Sequence, residues 1–245
     1  MKNFVIASAA GVLAFAAGAQ GAIFSFAADT MDQSWTFTGN GSSISSATGN
    51  SPVLLHIDDN NGAMPRLSVS ASLTAQVSLT FVGAVNLPGG AQALSYAANG
   101  SFVFTDVAAG VPLLTTNFSN ALFTTRGSPN NFWATTASLQ VDDGLGATVS
   151  MVWGGASLGS YGLLPGVLDA SPRGFAFDMV ALNSSGAMPY GGQSPGVPIN
   201  GTSKLPTSQW FAESSFTAYG SVIPSPGSLA LLGFGALAMR RRRRA

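Results

Sequence analysis

Residues 67–81 read Leu-Ser-Val-Ser-Ala-Ser-Leu-Thr-Ala-Gln-Val-Ser-Leu-Thr-Phe, with an apolar side chain at every second position. That period of two places Leu67, Val69, Ala71, Leu73, Ala75, Val77, Leu79 and Phe81 on one face of a strand. Ser, Thr and Gln take the other face, and a helix would scatter the same residues around its circumference. Shorter strand signals occur at 35–38, 101–107, 121–125, 132–141, 147–153, 175–182 and 215–220. Pro88-Gly89-Gly90, Asn99-Gly100, Gly127-Ser128-Pro129-Asn130 and Asp142-Asp143-Gly144 supply turn chemistry between them. The body, residues 23–221, is therefore expected to be all-β. Its expected form is a β-sandwich, jelly-roll or immunoglobulin-like. Residues 191–207, dense in Gly, Pro and Ser, read either as a long surface loop or as a lead into the final strand.

Composition narrows the function classes. Charged residues make up only 8% of the 245 residues, against about 25% in ordinary soluble domains. The formal net charge of zero hides an uneven distribution: Lys2 lies in the leader and Arg240–Arg244 at the other end. The body keeps four basic residues, Arg66, Arg126, Arg173 and Lys204, against all ten acidic ones, a net of −6. An acidic body without a basic patch argues against nucleic-acid binding. With no cysteine, thiol nucleophiles, iron–sulfur clusters and cysteine-held zinc are excluded. A body of roughly 200 residues buries enough apolar surface to fold without disulfides.

Both ends differ from the body. Residues 1–22 read as a signal peptide: Lys2, an apolar run over 4–17, then small-x-small sites at Ala17-Gly18-Ala19 and Ala19-Gln20-Gly21. Residues 222–245 form a tail, Ile223-Pro224-Ser225-Pro226-Gly227 followed by twelve uncharged residues, Ser228 to Met239. That segment, with Ser228, Leu229, Leu231, Leu232, Phe234, Leu237 and Met239, reads as a short hydrophobic transmembrane helix. Arg240, Arg241, Arg242, Arg243 and Arg244 read as a stop-transfer cluster held inside, which leaves the body outside. The leader and the tail thus give one topology.

A Pro-x-Pro motif, a short Ser-Leu-Ala-Leu-Leu-Gly helix and a terminal arginine cluster together resemble the PEP-CTERM sorting domain of Gram-negative bacteria. The resemblance covers residues 223–245, and Ser225 stands where the family motif has Glu. It implies Sec export, transient anchoring in the inner membrane and processing at Pro224-Ser225-Pro226 by exosortase, an integral-membrane transpeptidase. Delivery to the cell surface or an exopolysaccharide-bearing extracellular matrix would follow.

Chemistry within the body is sparse. Gly155-Ala156-Ser157-Leu158-Gly159 matches a hydrolase nucleophile elbow, but that elbow needs a helix after it and a histidine later in the chain. The one histidine, His56, comes earlier and shares a strand face with Asp58. Asp58 and Asn60, in Asp58-Asp59-Asn60-Asn61-Gly62, form part of a Ca²⁺ loop and are equally good turn formers without metal. No other cofactor is expected. Asn-x-Ser/Thr triplets begin at Asn40, Asn99, Asn117, Asn183 and Asn200, as an Asn- and Ser-rich composition produces. Trp133, Trp153, Tyr161 and Trp210 suit either stacking on sugar rings or core packing. The expected function is that of a non-enzymatic surface or matrix protein. The alternative is a lectin-like carbohydrate-binding module, with or without Ca²⁺.

Overall fold

The computed structural model describes residues 21–27, 35–39, 43–47, 53–59, 62–128, 131–141, 146–169, 174–184 and 196–222. The strands in chain order are β1 (Gly21–Ala27), β2 (Trp35–Gly39), β3 (Ser43–Ala47), β4 (Val53–Asp59) and β5 (Leu67–Asn86). They continue with β6 (Gln92–Asp106), β7 (Pro112–Ser128), β8 (Phe132–Gln140), β9 (Thr148–Trp153) and β10 (Gly166–Asp169). The last three are β11 (Phe175–Asn183), β12 (Val197–Pro198) and β13 (Trp210–Val222).

The alternating run at 67–81 is the heart of β5, which continues to Asn86 through a bulge between Phe81 and Gly83. From Ala71 to Leu79 its odd-numbered residues are buried, as the period of two requires. β5, β6 and β7 form a long antiparallel meander, turned first by a 3-10 turn at Pro88–Gly90. The second turn, residues 107–111, is capped by Asp106, whose Oδ1 accepts the N–H groups of Ala108 and Ala109. Asp106 thereby satisfies two amides that the reversal of the chain would otherwise leave unpaired.

All the strands belong to one antiparallel sheet. It closes on itself: β1 pairs β4, then β5, β6, β7, β8, β11 and β13 succeed one another, and β13 pairs back to β1. Closure removes most sheet edges. The all-β class holds, and the pairing does not divide the strands into the two sheets of the expected sandwich. The Asn99-Gly100 turn is corrected: both residues lie inside β6. A Cβ at Gly100 would collide with the Gln76 carbonyl oxygen, so here glycine serves close strand approach rather than a reversal. The compensating bulge sits opposite, on β7, where Asn120 takes a φ of 53°.

Aromatic side chains fill the interior. Phe104 of β6 meets Phe216 of β13 at 5.0 Å, and Phe102 meets Phe177 of β11 at 4.8 Å. A second group joins Tyr96, Phe123, Trp133 and Trp210, with Trp133 and Trp210 edge-to-face at 5.8 Å. Rings in these offset and edge-on geometries add about 0.5–1.5 kcal/mol per pair beyond their burial. Tyr96 Oη donates to the Lys204 carbonyl at 2.6 Å and accepts from Trp133 Nε1 at 3.0 Å. That bond fastens residues 196–207 to the core, so the later part of the expected loop is packed, with Val197 and Leu205 buried. Burial pushes the Tyr96 phenol well above its ordinary value, only partly offset by the Trp133 hydrogen bond.

Among the described residues no helix is long and apolar enough to cross a membrane. The expected C-terminal hydrophobic helix, the sorting motif, the arginine cluster and residues 1–20 lie outside the described residues.

Candidate functional site

The outward face of β5, β6, β7 and β9 is an ordered surface rich in hydroxyl and amide side chains, interleaved with Val103 and Val152. Its cross-strand rows are set by register. One row runs Gln76, Ser101, Asn117, Ser150; the next runs Thr74, Val103, Thr115, Val152. Neighbouring residues in a row stand about 4.8 Å apart, and rows repeat about every 6.8 Å along the strands. Local hydrogen bonds hold the lattice. Ser78 Oγ donates to the Asn99 carbonyl at 3.1 Å, and Ser119 and Thr148 share a hydroxyl–hydroxyl bond of 2.6 Å. Asn99 Oδ1 accepts the Asn120 N–H at 3.0 Å, which steadies the left-handed bulge residue. No charged residue occurs from Leu67 to Thr105. Over these rows the face offers hydroxyl and amide donors and acceptors without charge, and Arg126, exposed further along β7, is the charge beside them. The sequence carried this signal in its charge-free stretch, but the face appears only when register sets the strands side by side.

The residues singled out by motif do not converge. Ser157 is exposed in the loop after β9, where Trp153 Nε1 donates to the Ala156 carbonyl at 2.9 Å. The loop continues into a 3-10 turn at Gly159–Tyr161, not the α-helix of a nucleophile elbow. His56 Nδ1 pairs with Ser68 Oγ at 2.8 Å, its direct cross-strand neighbour on β5. The pair stands on an open strand face, with Asp58 engaged elsewhere: its carboxylate forms an ion pair with Arg66 at 3.2 Å. Asp59 points the opposite way and is buried. Its Oδ2 accepts the Ala63 N–H at 3.0 Å, closing the loop after β4. Alternation along the strand thus sends the two carboxylates to opposite faces, and Asn60 lies outside the described residues. Among the described residues no group of three His, Asp or Glu could hold a metal ion.

Trp133, Trp153 and Trp210 are core residues, each at most 2% exposed, so none is a platform for a sugar ring. Tyr161 is half-buried, and its hydroxyl donates to the Pro65 carbonyl at 2.8 Å. A depression of about 240 Å³ over β1, β8, β11 and β13 is lined by Ile23, Gln140, Val141, Phe175 and Tyr219 among others. No family model, curated protein or solved structure matches the chain.

Proposed function

We propose that the chain is an exported, non-enzymatic protein of the cell surface or extracellular matrix. In this reading the Sec machinery delivers it and its tail anchors it briefly in the inner membrane. An exosortase-type transpeptidase then acts at Pro224-Ser225-Pro226. The body is read as a flattened, sandwich-like shell, since β6 packs across the interior directly against β11 and β13.

The observation that carries the reading is the pairing of the body's two ends. Gly21 stands opposite Ser221, so the leader junction and the tail junction share one edge of the sheet. One patch of membrane can then hold both apolar segments with the body on a single side. Signal-peptide cleavage after Ala19 leaves β1 whole, whereas cleavage after Gly21 removes a residue paired in the strand. Intact-mass analysis of protein from the native host tests this. A chain running from Gln20 to near Pro226 supports it, and retained arginines sink the transpeptidase step.

A carbohydrate-binding role is the second reading, supported by the rows of hydroxyl and amide side chains on β5, β6, β7 and β9. A polysaccharide pull-down with no saturable binding removes it.

A further inference from the structure

Nine large apolar side chains are exposed on the described body, and six of them gather at one end: Leu54, Val107, Val111, Val152, Leu164 and Val167. Adjacency around that rim is explicit. Leu54 stands opposite Ser70, whose carbonyl accepts the Val107 N–H at 3.1 Å. The Asp106 N–H donates to the Val111 carbonyl at 2.9 Å, and two residues on the Leu113 carbonyl accepts the Gly154 N–H at 2.8 Å. Val152 then stands opposite Val167, and the next residue of β10, Leu168, pairs with Val222. The apolar rim therefore ends at the root of the tail. Single exposed apolar residues are ordinary on any protein, but six gathered towards one end are not.

We propose that this rim is a membrane-seating surface that rests on the lipid headgroup and acyl boundary while the tail is inserted. The proposal rests on the reading of Ser228–Met239 as a membrane segment. Chain length commits the rim to lipid. Only Ile223–Gly227 separate Val222 from that segment, and five extended residues reach at most about 18 Å. The end of the body bearing Val222 must then lie close to the bilayer. β10 begins at Gly166, two residues before the partner of Val222, so Val167 adjoins the end of β13. The opposite end cannot reach. Val85, equally exposed, lies ten residues along β5 from Ala75, about 33 Å at strand rise. Ala75 shares a row with Val222 through Phe102, Thr116, Met151 and Leu168. Charges near the rim are engaged: Asp106 in capping its turn, Asp58 with Arg66, and the exposed Asp169 in a contact of its own. An interfacial surface of this kind gains affinity from shallow burial of apolar side chains.

The chain has no cysteine, so single substitutions carry one probe each. Full-length Val167→Cys, Val107→Cys, Val85→Cys and Leu232→Cys variants, labelled with an environment-sensitive fluorophore, are reconstituted into phosphatidylethanolamine–phosphatidylglycerol vesicles. Spin-labelled lipids then report depth. The expected result is that the probes at positions 167, 107 and 232 lose most of their fluorescence and the probe at 85 loses none. Quenching at 232 without quenching at 167 and 107 overturns the membrane seat and leaves the tail reading standing. No quenching at 232 overturns both. A shielded probe at 167 that lipid cannot quench means that protein covers the rim, which also overturns the proposal.

Discussion

Replacing Tyr96 by Phe removes one oxygen from the interior and changes how the fold responds to base. The hydroxyl donates to the Lys204 carbonyl at 2.6 Å and accepts from Trp133 Nε1, which itself reaches the same carbonyl at 3.1 Å. One donor–acceptor pair therefore survives the substitution. The expected loss at neutral pH is about 1–2 kcal/mol, a buried hydrogen bond removed without a fully orphaned partner. In a body of this size that lowers Tm by about 2–8 °C. The alkaline response has the opposite consequence for the difference. Burial raises the phenol in the folded state, so above pH ~10 the unfolded chain releases this proton and the folded chain keeps it. Stability from this group is complete below pH ~10 and falls by roughly 1.4 kcal/mol per pH unit above it. Tyr96→Phe has no such proton to release. Guanidinium unfolding of both proteins at pH 7, 9 and 11 reads the difference directly, because other titrating groups are common to the pair. The stability gap should hold from pH 7 to 9 and close almost entirely by pH 11. A gap of constant size across that range would refute the burial argument.

Gly100→Ala should destabilise the body by about 1–3 kcal/mol in chemical unfolding, because the new methyl group meets the Gln76 carbonyl oxygen and the strands must separate. Ala181 holds a φ of 55° at the β11 bulge. Ala181→Gly should therefore gain about 0.5–1 kcal/mol by relieving left-handed strain, and a loss would show that the methyl group is needed there. Calcium addition or EDTA should leave the melting temperature unchanged, since Asp58 pairs with Arg66 and Asp59 faces the other way. A rise with calcium would reassign Asp59 as a ligand. Chains ending before Trp210 should be degraded by protease along their whole length, whereas chains ending after Val222 should keep a resistant body. Equal resistance of the two would show that closure by β13 is dispensable.

Alternation at 67–81 revealed the strand class because one side of β5 is core and the other solvent, so burial and period coincide from Ala71 to Leu79. Phe132, Thr148, Phe175 and their neighbours were legible for the same reason. Asn99-Gly100 misled because a turn and a close strand crossing both select glycine, and only the neighbour at Gln76 distinguishes them. β3 was not legible: Ser43-Ile44-Ser45-Ser46-Ala47 has one large apolar residue, and its strand state comes from pairing on both sides, with β2 and β5. The Asp58 and Asn60 pattern carried composition but not direction, since Asp58 and Asp59 diverge by one residue of pleat. The apolar rim was not legible for a related reason. Leu54, Val107, Val152 and Val167 lie on four separate elements, and no local window contains them.

Closure of the sheet gives the C-terminal strand a particular weight. β13 pairs with β1, β2, β10 and β11, and its partner Gly21 is two hundred residues away from Ser221. The ordering cost of joining such distant segments grows only with the logarithm of their separation, about 0.6 kcal/mol per doubling. The kinetic consequence is larger, because non-local β pairing is slow and leaves strands exposed until it completes. β5, β6 and β7 can form their hairpins as soon as residues 67–128 are present. The ring itself cannot close until Trp210–Val222 has arrived. On the export reading, those thirteen residues cross the membrane last, directly ahead of the segment that halts transfer. The tail then holds β13 at the bilayer beside its growing partner sheet, which raises the local concentration of the one strand still missing. Anchoring and folding are in that case the same event seen from two sides. On that reading the arginines would stop the chain at the point where every residue of the closing strand has just emerged.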